Sequence, residues 1–412
     1  MPPAADAVVS ENDRQKWLAL WAAMLGYMLD ALDVLLYVFA VQTLRAEFHW
    51  PAATAGLVSS ATLIASAVGG IGAGILADRI GRTRTLVYTI LLYSLGSAGS
   101  ATSAGLWSLL AWRGVVGLGL GGEWSAGAVL VSETWPPEHR AKAIGVMQSG
   151  WAIGYMLAAG ATALILPRFG WRVLFLIGIL PAFLTIWIQR KVKEPAIWLE
   201  RQTTAPLSDL FRKPLLRTTV LGTLLATSVL FAYWGLFTWL PGFLSAPLDQ
   251  GGAGLNILRT SGWIILMQMG AFAGYVSFGW LADSFGRRPV FFTYVLLAAI
   301  ATPIYGLTPR WAGANSEAWL LALGPLVGFC GTGFFAIFGA MLAELYPTPL
   351  RGAGQGLVYN TGRAVSALAP FAVGAIADRQ GLGAALALNS GFFLIGSVLV
   401  FTLPETRNTR LS

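Results

Sequence analysis

Twelve apolar runs, each long enough to cross roughly 30 Å of hydrocarbon, constrain this 412-residue chain more than any single motif does. They fall at 17–44, 53–77, 85–104, 106–133, 143–167 and 172–189, and again at 216–244, 258–282, 289–308, 317–345, 353–377 and 383–403. No strand-like alternation competes with helix in them. Only 11% of residues are charged and 56% are hydrophobic, against about 25% charged in soluble domains, so polar surface is too scarce to cover a water-soluble globule. The expected fold is an all-α polytopic membrane protein of twelve transmembrane helices. Six lie in residues 1–189 and six in residues 218–412, flanking a polar cytoplasmic linker at 190–217 whose basic excess suits anionic lipid.

Residue counts exclude several function classes. The net charge of +8 comes from basic residues dispersed between apolar runs, without the stripe that nucleic acid requires. The single cysteine, Cys330, rules out an intramolecular disulfide and a thiolate metal site. The two histidines, His49 and His139, fall in expected loops, so neither a histidine metal cluster nor a buried catalytic triad can be assembled. No enzyme, metal or cofactor is expected. Residues 1–16 are polar and lack a signal-peptide pattern, so the first helix is expected to be retained.

Lysine and arginine set the orientation. With both termini inside, the inner segments hold nineteen of the 27, the outer segments hold six, and Arg113 and Arg363 lie within the membrane. The positive-inside rule therefore places both termini and the central loop in the cytoplasm. There is no Asn-x-Ser/Thr sequon, which suits a bacterial plasma membrane.

The two halves repeat each other. Gly74-Ile-Leu-Ala-Asp78-Arg79-Ile-Gly-Arg82-Thr-Arg84 returns as Gly279-Trp-Leu-Ala-Asp283-Ser-Phe-Gly-Arg287-Arg288, with the two aspartates 205 residues apart (283 minus 78). Glu133-Thr-Trp-Pro-Pro-Glu-His-Arg140 returns as Glu344-Leu-Tyr-Pro-Thr-Pro-Leu-Arg351, 211 apart (344 minus 133). Two motifs in the same order at nearly one offset indicate an internal duplication. On these residues, with Arg113-Gly-Val-Val-Gly-Leu-Gly119 and Pro404-Glu405-Thr406, the whole chain resembles the major facilitator superfamily. The resemblance implies two six-helix bundles related by a pseudo-twofold axis, rocking about a central site. It also implies a conformational clasp from Asp78, Arg79, Arg82, Arg84, Glu133 and Arg140 and their counterparts Asp283, Arg287, Arg288, Glu344 and Arg351. The alternative is that these charges only fix topology.

Buried charge is the other constraint. Asp30 and Asp33 sit in the first apolar run and Arg113 and Glu123 in the fourth, where each ionised group costs on the order of 3 kcal/mol on insertion scales. By depth, Asp33 and Arg113 come within reach in the outer half of the membrane, with Asp30 and Glu123 nearer the cytoplasmic half. Either they form a static ion pair that fixes packing, or a carboxylate loses its proton as Arg113 approaches and regains it as Arg113 leaves. Asp30 is the first candidate for the proton carrier. Glycines 114, 117, 119, 121 and 122 are expected to let helices approach closely.

Candidate substrate residues are Gln148 and Trp151 on helix five, Tyr233 and Trp234 on helix seven, and Asn360 and Arg363 on helix eleven. Each has a packing alternative. Arg363 has no acid near it within the second half's membrane spans, and its planar fork matches a carboxylate. Helix six carries no signal. Leu29-Asp30-Ala-Leu-Asp33, Gly121-Gly-Glu123-Trp124 and Asn360-Thr-Gly-Arg363 look most similar to the sialate and monocarboxylate proton symporters. The resemblance implies proton-coupled uptake of a small organic anion by a monomer in the bilayer. The rival readings are a proton-coupled exporter of organic cations or drugs and a neutral sugar porter; the sugar reading lacks amides on helices seven, eight and ten.

Overall fold

The computed structural model describes residues 5–194, 207–347 and 350–406. The side chains of Asp78, Arg140, Asp283 and Arg351 lie outside the described residues. Among those described, the chain forms helices and turns but no strand. The first half contains α1 (Ala5–Phe48), α2 (Ala52–Ile80), α3 (Arg82–Ser100), α4 (Leu106–Thr134), α5 (Pro137–Leu176) and α6 (Pro181–Lys191). The second contains α7 (Leu215–Ser245), α8 (Ile257–Phe285), α9 (Arg287–Gly306), α10 (Ser316–Gly333), α11 (Phe335–Glu344), α12 (Arg351–Ser366), α13 (Leu368–Gln380), α14 (Leu382–Asn389) and α15 (Gly391–Leu399).

Eight helices are long and apolar enough to cross a bilayer by length and composition. One of them, 142–191, turns at Gly170, whose φ of 76° favours glycine, and so supplies two of the expected crossings. The other three are α3, α10 with α11, and α12 with α13. They fall short for local reasons. Helix α3 is 19 residues long and starts on Arg82 and Arg84. The α12–α13 break at Ala367 lies just before Pro370, which cannot donate to the carbonyl four residues back. The α10–α11 break at Phe334 has no proline; Gly333 there packs against the Gly274 backbone of α8.

The duplication is structural. In the first half α2 packs along α4 and α1 along α5; in the second α8 packs along α10 and α7 along α12. Gly81 (φ 113°) joins α2 to α3, and Gly286 (φ 98°), 205 residues later, joins α8 to α9. Gly119 of α4 lies where a Cβ would come 2.6 Å from the Tyr93 nitrogen and Gly122 lies against Thr89, so α3 and α4 touch nearly backbone to backbone. Gly114 is different, with open space at its Cα.

The halves meet along two seams, α2 on α12 and α13, and α5 on α8 and α11. At the membrane face opposite the basic loops, a Cβ on Gly56 would come 2.6 Å from the Pro370 carbonyl. The Ala53 N–H also donates to Asp378 there at 3.3 Å. Towards the basic face, Gly145 packs against the Tyr275 backbone and the Lys142 ammonium lies 5.6 Å from the Trp280 ring centre. Both ends are closed around a buried centre.

Candidate functional site

Five charged side chains lie in that centre: Asp30 and Asp33 on α1, Arg113 and Glu123 on α4, and Arg363 on α12, none more than 2% exposed. The long helices carry them inward, and small residues make room. A Cβ on Gly26 would come 2.5 Å from Glu123 Oε1, and one on Gly178 would strike both the Asp33 carboxylate and the Ser97 hydroxyl. The run 172–189, which carries no signal as a sequence, thus contributes through Gly178, in the turn just before α6, the gap that accommodates Asp33.

These charges approach one another without pairing. Among the described residues no ion pair joins Arg113 or Arg363 to an acid within 4 Å. The Arg113 guanidinium instead lies 5.3 Å from the Tyr37 ring centre, and its Nε and Nη1 lack hydrogen-bond partners. Its strongest charged neighbour is Asp33, with Asp30 next. Asp30 feels Arg363 most strongly among its charged neighbours, and both of its oxygens lack hydrogen-bond partners. Glu123 feels Asp30 and then Arg363. Asp30 therefore lies in the field of two guanidiniums, one from each half.

Arg363 is cradled by aromatic rings. Its Nη2 donates to the Tyr359 hydroxyl at 3.5 Å, its centre lies 5.0 Å from that ring, and its Nε and Nη1 have no partner among the described residues. Tyr359 stacks on Trp124 of the other half at 4.0 Å. Trp124 donates to Gln148 Oε1 at 3.1 Å, and Gln148 Nε2 donates to the Phe335 carbonyl at the α10–α11 break at 3.0 Å. Gln148 is thus occupied at both ends by protein. Trp151 contacts Tyr27 at 5.1 Å and Trp234 at 5.9 Å, and Trp234 contacts Tyr233 at 5.3 Å. Asn360 Nδ2 donates to Gly356, and its Oδ1 lies against Gly70 across the seam without a partner.

A gap of about 20 Å³ beside Arg113, Tyr37, Thr62 and Trp234 is room for about one water, far below a typical ligand pocket. The larger cavity, about 740 Å³, opens at the opposite-face seam beside Arg45 and Asp378, away from Arg363. The five charged side chains, none more than 2% exposed, are thus shielded from solvent in this conformation.

At the basic face the described charges form two matching devices. Arg82 Nη1 donates to the Ala77 carbonyl at 2.8 Å and Nη2 pairs with Glu133 at 3.4 Å; Arg287 donates to Ala282 at 3.1 Å and pairs with Glu344 at 3.5 Å. Arg79 and Arg84 extend into solvent, and Arg288 donates to the Phe401 carbonyl at 2.9 Å. Glu194 accepts from the N–H groups of Arg82 (2.7 Å), Thr83 (3.1 Å) and Arg84 (3.2 Å), capping α3; Glu405 accepts from Arg287 (2.9 Å) and Arg288 (3.0 Å), capping α9. Sequence reasoning assigned these two glutamates no role, yet their spacing of 211 (405 minus 194) matches that of Glu133 and Glu344. Tyr27, Tyr93, Trp124, Tyr359 and Phe335 were also missed as parts of the centre. No metal-ligating cluster occurs among the described residues.

Comparison with known proteins agrees with this architecture. The Major Facilitator Superfamily family model matches residues 23–277 and 254–412. The chain is 34% identical to a probable 4-methylmuconolactone transporter of Cupriavidus pinatubonensis, covering 95% of this chain and 91% of that one. It is 30% identical to a putative niacin/nicotinamide transporter of Bacillus subtilis, covering 88% of each. A solved structure of the proton:xylose symporter bound to 6-bromo-6-deoxy-D-glucose superposes with a TM-score of 0.77 over 97% of this chain and 98% of that one, at 18% identity, a likeness of fold alone. With its two six-helix halves and duplicated loops, this chain belongs to the Major Facilitator Superfamily and is a multi-pass membrane transporter rather than an enzyme.

Proposed function

We propose that the protein takes up a small organic anion together with protons, by alternating access, through a bacterial plasma membrane with both termini cytoplasmic. Residues 1–189 and 218–412 form the rocking bundles and 190–217 the linker. The observation that carries this reading is Arg363, a buried guanidinium at the seam with two nitrogens lacking partners among the described residues. Burying a cation without hydrogen bonds is costly, and a carboxylate fitted to the fork satisfies both the charge and the donors. The relative named for 4-methylmuconolactone, a carboxylic acid, and the one named for niacin/nicotinamide, of which niacin is a carboxylic acid, support the substrate class. Tyr359, Trp124, Asn360, Trp151, Tyr233 and Trp234 form the walls, and Gln148 holds Trp124 in place.

Proton coupling follows from charge. The centre holds three carboxylates and two guanidiniums, so an arriving anion adds negative charge to a region where ions are already expensive. Protonating one carboxylate for each anion bound keeps the buried charge constant. Asp30, between the two guanidiniums, is the carrier; Asp33, Arg113 and Glu123 tune it. The duplicated Arg82–Glu133 and Arg287–Glu344 pairs each lie within one half and brace the basic end of its bundle, so that each bundle tilts as a unit; the clasp expected of Asp78, Asp283, Arg140 and Arg351 falls on side chains outside the described residues.

The test is uptake of labelled nicotinate into vesicles containing the full chain. An imposed inward proton gradient is expected to drive accumulation, and Arg363→Ala is expected to abolish it. Unchanged uptake in Arg363→Ala would remove the anion site from Arg363.

A further inference from the structure

We infer that Tyr93 of α3 is the proton relay between Glu123 and the Asp30–Asp33 pair, an inference that rests on the proton-coupled reading above. The register of α1 against α3 sets the geometry. Gly26 meets Ile90, and Asp33 meets Ser97 in the gap left by Gly178; both pairs are offset by 64 residues (90 minus 26 and 97 minus 33), so the helices run parallel and in step. At that offset Tyr93 stands opposite Leu29, one residue from Asp30. From below, Glu123 reaches Gly26 and Ile90; from above, Asp33 reaches Ser97. The Tyr93 ring is held between these levels because its Cβ lies against Gly119 of α4, which has no side chain to displace it.

The tyrosine has no structural partner for its oxygen. Tyr93 is 0% exposed, and its hydroxyl has no hydrogen-bond partner among the described residues. A buried hydroxyl without a partner is destabilising, and phenylalanine would fill the same space without that cost. The charged groups around it are Asp30 and Asp33 from α1 and Glu123 from α4. Glu123 at the level of Gly26 and Asp33 are seven residues apart along α1, about 10 Å at 1.5 Å per residue, whereas a proton moves along hydrogen bonds of about 2.5–3 Å. An intervening group that both donates and accepts can carry it, and the phenol does both. The step balances. The Tyr93 oxygen takes a proton from the carboxylic acid on one side as its own proton passes to the carboxylate on the other; two O–H bonds break, two form, and the tyrosine ends neutral with one proton moved.

The experiment compares the wild type and Tyr93→Phe in proteoliposomes with labelled nicotinate. Tyr93→Phe is expected to slow proton-driven uptake by at least about tenfold while leaving nicotinate counterflow, which needs no net proton movement, within about twofold. A loss of both equally would mark a structural role and overturn the relay. Proton-driven uptake at the wild-type rate in Tyr93→Phe would overturn the relay alone, and a wild type indifferent to the proton gradient would overturn the coupling reading and the relay with it. A readout without transported ligand is the carboxylic-acid C=O stretch in pH-difference infrared spectra of the purified protein. The relay requires this band to shift in Tyr93→Phe and to be altered in Asp30→Asn, and a band unmoved by Tyr93→Phe overturns it.

Discussion

The two halves share one scaffold and differ in what they bury. At the basic face they are near copies: a left-handed glycine, an arginine bonded to the carbonyl five residues before it and paired with a glutamate, and a second glutamate capping the next helix. In the membrane interior the copies diverge. The first half places three carboxylates and Arg113 among α1, α3 and α4, whereas the second places Arg363 among aromatic rings with no buried acid among its described residues. Duplication explains the shared scaffold. The proposed division of labour, protons in one half and an anion in the other, rests on these divergent interiors, with Arg363 the charged group that acts most strongly on Asp30.

The comparison breaks most visibly at Asp30. Asparagine has the shape of the protonated acid and cannot release a proton, so Asp30→Asn is expected to reduce gradient-driven accumulation to simple equilibration, while counterflow survives. Proteoliposome uptake with and without a proton gradient measures both. Retained accumulation would move the proton to Asp33 or Glu123. Next in size is Arg363→Lys, which keeps the charge but loses the planar fork. A tenfold to hundredfold rise in KM, about 1.4–2.8 kcal/mol, is expected with the proton dependence unchanged. Arg113→Lys, in the other half, is expected to change the pH profile of uptake more than KM, and the reverse pattern would mean that the division of labour between the halves is wrong.

A smaller effect is expected at the seam. Gly56 faces the Pro370 backbone, which cannot move aside as a side chain can, so Gly56→Leu should prop open the face opposite the basic loops. Ser59→Cys, three residues further along α2, is buried in the closed form, and its maleimide labelling from that face should rise several-fold when Gly56→Leu is added. Labelling that stays unchanged would show that this seam is not the gate.

Much of this was readable without coordinates, for identifiable reasons. Bilayer thickness dictates the length of the apolar runs, and duplication leaves countable offsets, so the twelve crossings and the paired loops follow from the sequence. The buried acids and Arg363 stand out because charge in lipid is rare. What could not be read depends on backbone atoms and on contacts between helices distant in the chain. The Gln148 amide, an apparent substrate ligand, bonds the Phe335 carbonyl at the start of α11, a backbone contact across the seam that no residue type announces. Gly178 leaves no trace in an apolar run, yet it accommodates Asp33. Tyr93 is an ordinary aromatic residue until the α1–α3 register puts it opposite Leu29, next to Asp30. The helix-capping glutamates were within reach, because their 211-residue spacing repeats that of Glu133 and Glu344.

The smallest expected effect tests the scaffold itself. Glu194 receives N–H bonds from three residues at the start of α3 and Glu405 from two at the start of α9, each also opposing the positive end of a helix dipole. Removing either cap by mutation to alanine should destabilise its bundle by about 1–2 kcal/mol. That corresponds to a few degrees at most in the apparent melting temperature of a protein this size. If the halves share a scaffold and differ only inside, the two losses should be similar, since each glutamate accepts three backbone N–H bonds, the third on Glu405 coming from Thr406. Neither should alter the KM for nicotinate, since both caps lie at the basic face, far from Arg363. A shift confined to one of the two variants, or a changed KM in either, would show that the caps couple to the centre and that the halves diverge at the surface as well as inside.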